Sequence, residues 1–183
     1  MKKKLLSIAL ISSFAMASNF YVGGGANVLG ADSRNYDNDY NTIKVKADRN
    51  DYFVVLGYEV APNRNFELEY RTIKLKNKHN SSDKSTVTSI GVNFILHRQK
   101  PVWRLMPYLK SSISYVHNNT QYSTKKGANG AGFGVAIGTY IQVTKKIDLS
   151  VDYEVRALIY QKVDGINTTD LARGVNMGVY YHF

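Results

Sequence analysis

The chain predicts an all-β protein: an eight-stranded antiparallel up-and-down transmembrane β-barrel over residues 18–183, preceded by a cleavable leader at 1–17. Three observations carry that expectation. The N-terminus has the composition of an export signal, eight later segments alternate apolar and polar residues, and the two alternating faces suit an inverted barrel.

The leader, MKKKLLSIALISSFAMA, has three parts. Lys2, Lys3 and Lys4 form the charged start, Leu5 to Phe14 the apolar stretch, and Ala15-Met16-Ala17 a small-x-small cleavage site. A membrane-spanning helix takes about 20 apolar residues, more than this stretch supplies. No later segment has a comparable apolar run, so no anchoring helix is expected. The remainder is sized for one domain. With no cysteine, disulfides and thiolate metal sites are excluded. Losing Lys2, Lys3 and Lys4 with the leader lowers the formal charge from +10 to +7. A basic excess is one mark of nucleic-acid binding, but scattered lysines in an exported chain argue against that partner.

The segments follow in order. In NFYVGGGANV, Phe20, Val22, Ala26 and Val28 oppose Tyr21, Gly23, Gly25 and Asn27. In YFVVLGYEV, Tyr52, Val54, Leu56, Tyr58 and Val60 oppose Phe53, Val55, Gly57 and Glu59. FELEYRT sets Phe66, Leu68 and Tyr70 against Glu67, Glu69 and Arg71. The fourth segment sets Thr88, Ile90, Val92, Phe94 and Leu96 against Val87, Ser89, Gly91 and Asn93. The fifth is weaker, with Leu109, Ile113 and Tyr115 against Lys110, Ser112 and Ser114. GFGVAIGTYI opposes Phe133, Val135, Ile137 and Ile141 to Gly132, Gly134, Ala136, Gly138 and Tyr140. IDLSVDYEVR alternates Ile147, Leu149, Val151, Tyr153 and Val155 with Asp148, Ser150, Asp152, Glu154 and Arg156. The eighth, GVNMGVYYHF, sets Val175, Met177, Val179, Tyr181 and Phe183 against Gly174, Asn176, Gly178, Tyr180 and His182. Period-two alternation is the mark of a strand with two unlike faces.

The connections suggest the orientation. Residues 61–65 and 143–146 are short, and 97–106 middling. Residues 32–51, 75–86, 117–130 and 161–172 are longer and polar, and are expected to be extracellular loops. The echo between TIKVK (42–46) and TIKLK (72–76) is expected to mark strand ends projecting above the membrane. An even strand number returns the C-terminus to the periplasmic side, where the N-terminus begins.

Comparing faces decides which one points inward. One is aliphatic or aromatic and carries no charge. The other holds Glu59, Glu67, Glu69, Asp148, Asp152 and Glu154 with Arg71, Lys110 and Arg156, interspersed with glycines. On a water-facing surface those glycines would weaken strands without improving packing. In an eight-stranded barrel the lumen is just wide enough to be filled by side chains, and glycines make room for larger ones. The charges are therefore expected inside. Phe20, Tyr58, Phe66, Phe94, Tyr181 and Phe183 would form a periplasmic aromatic girdle, with Tyr70, Tyr115 and Tyr52 in the opposite one.

With this pattern, ending in Tyr181-His182-Phe183, the chain resembles small eight-stranded outer-membrane proteins of the OmpA transmembrane-domain, OmpX and opacity-porin type. The resemblance implies residence in the outer membrane of a Gram-negative bacterium. It also implies that Phe183, with Tyr181 two residues before it, signals to the barrel-assembly machinery. No domain is expected after Phe183, so wall anchoring does not carry over.

Catalytic constellations are weak. His79-Asn80-Ser81 has the His-x-Ser spacing of lipid A deacylases but no acidic residue fixed nearby. Asp32, Asp37, Asp39, Asp48 and Asp51 read as loop solubility and turn residues, and their spacing matches no defined calcium cage. His97, His117 and His182 share no metal spacing. No catalytic, cofactor or metal site is therefore assigned, and the chain is read as a non-enzyme. The expected site is a lumenal network of Glu67, Glu69, Arg71, Lys110, Asp148, Asp152, Glu154 and Arg156, since buried charges need partners.

Outside the lumen, Arg64, Arg98, Lys100, Arg104, Lys145 and Lys146 occupy the periplasmic turns, and Lys74 lies at the other end. Such basic groups suit the phosphates of outer-membrane lipid and lipopolysaccharide. The expected function is a structural and surface-interaction role of adhesin or opacity type, in which long loops of a monomer meet a host or environmental surface ligand. The alternative is a narrow porin-like channel for small solutes. A soluble ligand-binding barrel would need an apolar interior and falls with the glycines.

Overall fold

The computed structural model describes residues 19–37, 42–77, 84–121 and 126–183. The leader, Asp39 and His79-Asn80-Ser81 lie outside the described residues. Eight strands follow one another: β1 Phe20–Asp37, β2 Thr42–Ala61, β3 Arg64–Asn77, β4 Lys84–His97, β5 Leu105–Gln121, β6 Lys126–Gln142, β7 Ile147–Tyr160 and β8 Asn167–His182. Each pairs antiparallel with its neighbour, and β1 pairs with β8 to close the barrel. Closure leaves no strand with a free outer edge, which a sheet crossing lipid requires, although the β1–β2 ladder is interrupted between Ala26 and Asp32.

The strands are longer than the alternation alone predicts. Residues 32–37, 42–51, 117–121 and 167–172, expected to be loop, are strand. The expectation of long extracellular loops is thereby corrected: the polar segments mostly prolong the walls. Spanning a bilayer takes about 9–11 tilted strand residues. Strands of 14 to 20 residues therefore project beyond it, as the Thr42–Lys46 and Thr72–Lys76 stretches do.

The wall faces lipid. Val135 and Ile137 are each 63% exposed, and Val54, Leu68, Ile113 and Val179 are also exposed, an arrangement that only an apolar surrounding favours. Aromatic residues gather at the edge of this band nearest the termini. Phe20 meets Tyr58 at 4.8 Å, Phe66 meets Phe94 at 5.2 Å and Tyr181 meets Phe183 at 5.4 Å between ring centroids. Tyr70 and Tyr115 flank Ile90 across β3, β4 and β5 at the other edge.

The lumen is solid and layered. Toward the termini lie Tyr21, Phe53, Val55, Ile95, Tyr108, Tyr140 and Tyr180, with Tyr108 and Tyr140 rings 4.5 Å apart. At the opposite end Ile73, Leu75, Val87, Val116, Ala128, Leu158, Tyr160 and Val163 pack together. Between these two apolar clusters sits the main body of charge, while an Arg34–Asp170 pair adjoins Tyr160 in the far cluster. Glycines allow this crowding: a Cβ on Gly57 would collide with the Tyr21 ring, and one on Gly23 with Tyr180. The lumenal glycines thus make room for rings, as the face comparison anticipates.

Candidate functional site

The middle layer is built by alternate residues of five strands. Asp51 comes from β2, Glu69 and Arg71 from β3, Lys110 from β5, Asp152, Glu154 and Arg156 from β7, and Asn176 from β8. Period two aims each side chain inward while its sequence neighbours meet lipid.

Arg71 is the hub. Its guanidinium grips Glu69 through Nε at 3.0 Å and Nη2 at 3.1 Å, a two-pronged contact. Nη1 reaches across to Asp51 at 2.9 Å and to Glu154 at 2.8 Å. The Arg71 guanidinium also lies 4.9 Å from the Phe53 ring centroid, joining the charged layer to the aromatic one. Arg156 donates from Nη2 to Glu69 and to Glu154, both at 2.9 Å. These contacts cross the lumen between β3 and β7, linking residues far apart in sequence. Arg71 is 0% and Arg156 1% exposed, so neither charge is relieved by bulk solvent.

Around this centre the remaining carboxylates are satisfied individually. Lys110 Nζ lies 3.0 Å from Asp152, which also accepts from the Tyr108 hydroxyl at 2.7 Å and from Asn176 at 2.8 Å. Glu67 accepts from the Tyr21 hydroxyl at 3.0 Å and from Asn93 at 2.9 Å. These carboxylates thus each meet a cation or neutral donors, the condition for keeping ionisable groups in a confined interior, whereas neither oxygen of buried Asp32 has a hydrogen-bond partner among the described residues.

Asp148 departs from the expected network. It sits at the mouth near the termini and pairs with His182 Nε2 at 3.1 Å, while Nδ1 of the same ring lies 3.5 Å from Glu59. The residue belongs to the mouth beside β8 rather than to the Arg71 centre. His182, expected to share no metal site, instead bridges two carboxylates.

Several members escaped the sequence reading. Asp51, read as a loop residue, contacts both Arg49 and Arg71. Asp32, also read as loop, is buried. Arg34 binds Asp170 through Nε at 2.6 Å and Nη2 at 2.7 Å and donates to Ser85 at 2.9 Å, and the Tyr160 hydroxyl donates to Asp170 at 2.8 Å. Among the described residues, eight buried carboxylates face five buried Lys and Arg side chains, a formal balance of −3. His97 meets Asn65 and the Arg98 carbonyl, and His117 meets Asn129.

The family described as outer membrane protein beta-barrel domain matches residues 5–183. Neisserial surface protein A superposes with a TM-score of 0.58 at 20% identity, over 90% of this chain and 97% of that one. The outer membrane protease OmpT of Escherichia coli gives 0.51 at 8% identity, over 92% and 98%. A major outer membrane protein of Thermus thermophilus gives 0.50 at 8% identity, over 90% and 99%. At such identities these likenesses concern fold alone. No curated protein matches the chain. The lipid-facing wall and the matched family place the protein in the outer membrane of a Gram-negative bacterium. The chain belongs to the outer membrane protein beta-barrel domain family.

Proposed function

We propose that this barrel is a non-conducting, non-enzymatic surface protein that meets a host or environmental ligand through its outer rim. The observation that carries the reading is the lumen, which is filled by mutually paired charged side chains and two buried apolar clusters. That weighs against the narrow channel. With the interior filled, recognition falls to the projecting wall, where Lys74, His117 and Asn119 are exposed. Rigid strand extensions do here what loops do on other scaffolds. Tyr181 and Phe183, on the outer wall at the chain end, serve as the signal to the assembly machinery. The assembled protein acts as a monomer.

Planar-bilayer recording of the purified protein tests the reading. Little or no steady conductance is expected, with brief openings at most. A large, stable, ion-selective current would replace it with the channel.

A further inference from the structure

We propose that the outer wall carries a binding site for a lipid-borne phosphate, formed by Lys44 and Lys46 of β2 and Arg173 of β8. The three cations line one cleft of about 380 Å³ together with Ala31, Ser33 and Leu171. Register explains the grouping. Ser33 on β1 pairs with Lys46 on one side and Leu171 on the other, Asn35 pairs with Lys44, and Ala31 pairs with Arg173. Partners across a ladder project to the same face, so all three cations point away from the lumen. Asp32, which also borders the cleft, is buried between outward-facing neighbours and belongs to the lumenal face. Short side chains at Ala31 and Ser33 leave the floor between the cations low.

Two further observations identify the occupant. Among the described residues no carboxylate lies within ion-pair distance of Lys44, Lys46 or Arg173, whereas the lumenal arginines are all paired. Three exposed, uncompensated cations around one cleft call for an anion, and a phosphate accepts from several donors at once. Directly below the cleft the wall becomes apolar. Leu29, 70% exposed, pairs with Val175, and Met177 follows on β8. A β-bulge in β1 between Asn27 and Leu29 sets this step. A phosphate held at the cations would therefore have its acyl chains against Leu29, Val175 and Met177, the arrangement of a phosphorylated outer-leaflet glycolipid. A free phosphate would leave that apolar step unused. The site rests on the outer-membrane placement alone and holds whether or not the lumen conducts or the rim meets another ligand.

Native mass spectrometry of the detergent-purified full chain provides the test, with diphosphoryl lipid A as probe. The parent should retain it, and should release lipid A stripped of both phosphates. The variant Lys44→Gln/Lys46→Gln/Arg173→Gln should bind roughly a hundredfold more weakly, since each basic residue near a charged membrane surface contributes a factor of about five. Lys44→Gln and Arg173→Gln alone should each weaken binding about fivefold, which preserves the test if the triple variant folds poorly. Lys145→Gln/Lys146→Gln, at the opposite end, should bind as the parent does. Equal retention by the triple and single variants, or of the stripped lipid, would overturn the site. So would displacement of lipid A by micromolar inorganic phosphate.

Discussion

Val151 and Asp152 are neighbours in sequence and meet opposite surroundings. Val151 shares a wall with Met177 and Thr139 and looks toward lipid, while Asp152 is buried among Lys110, Tyr108 and Asn176. The difference recurs along β7 and teaches that this barrel has two organising surfaces. The outer one tolerates any apolar shape, because lipid adapts. The inner one is a fixed lattice of rings and ion pairs, in which each side chain is specified by several others. Substitutions should therefore cost more inside than outside, and by a different mechanism.

The largest effect is expected from Arg71→Ala, which leaves Asp51, Glu69 and Glu154 facing one another without their shared cation. Removing one partner of a buried charge cluster costs about 3–5 kcal/mol. Urea unfolding in lipid vesicles, followed by gel mobility before and after boiling, should show a lower midpoint. An unchanged midpoint would mean that the network contributes nothing to stability. Val151→Arg challenges the outer surface, placing a charge near the bilayer midplane at a cost of about 2–4 kcal/mol. The same assay should register it, whereas Val151→Leu should be silent.

Glycines sharpen the comparison at smaller scale. Gly57→Ala adds a methyl group where the Tyr21 ring already stands, and overpacking of this kind costs about 1–3 kcal/mol. Gly24→Ala is on the lipid face, where the added Cβ would meet no ring, only the Phe53 carbonyl oxygen at 3.2 Å and Val54 Cγ1 at 3.6 Å. Its effect should stay within about 0.5 kcal/mol. Comparable losses at both positions would erase the distinction between the surfaces.

The part of this arrangement legible in the sequence is the part bounded by lipid. Along β7 the contrast between Val151 or Tyr153 and Asp152 or Glu154 is strong, so strand, face and network membership of Glu69, Arg71, Lys110, Asp152, Glu154 and Arg156 were all readable. Beyond the apolar band that contrast vanishes. Ala31-Asp32-Ser33-Arg34-Asn35 is polar on both faces, because its outer side meets headgroups or water, and the alternation carries no signal there. For that reason Arg34, Asp170, Arg49 and Asp51 looked like loop although they line the lumen. Asp148 lies on the inward face that the alternation indicates, but at the mouth rather than at the level of Arg71. The axial position of a residue depends on strand tilt and register, which periodicity alone does not encode. Of the far apolar layer only Val87 is legible, on the inward face of the fourth segment; Ile73, Leu75 and Val116 lie beyond the stretches whose faces the alternation separates.

The inward placement of the charged face is tested most directly by moving the protein's single tryptophan. In a Trp103→Phe background, Tyr153→Trp places the indole on the lipid face of β7, at a position now 46% exposed. Tyr180→Trp places it in the lumen, at a position now 3% exposed. In vesicles of brominated lipid, fluorescence from position 153 should be strongly quenched and that from position 180 should stay bright. Equal quenching, or quenching at 180 alone, would contradict the inward-facing charge layer.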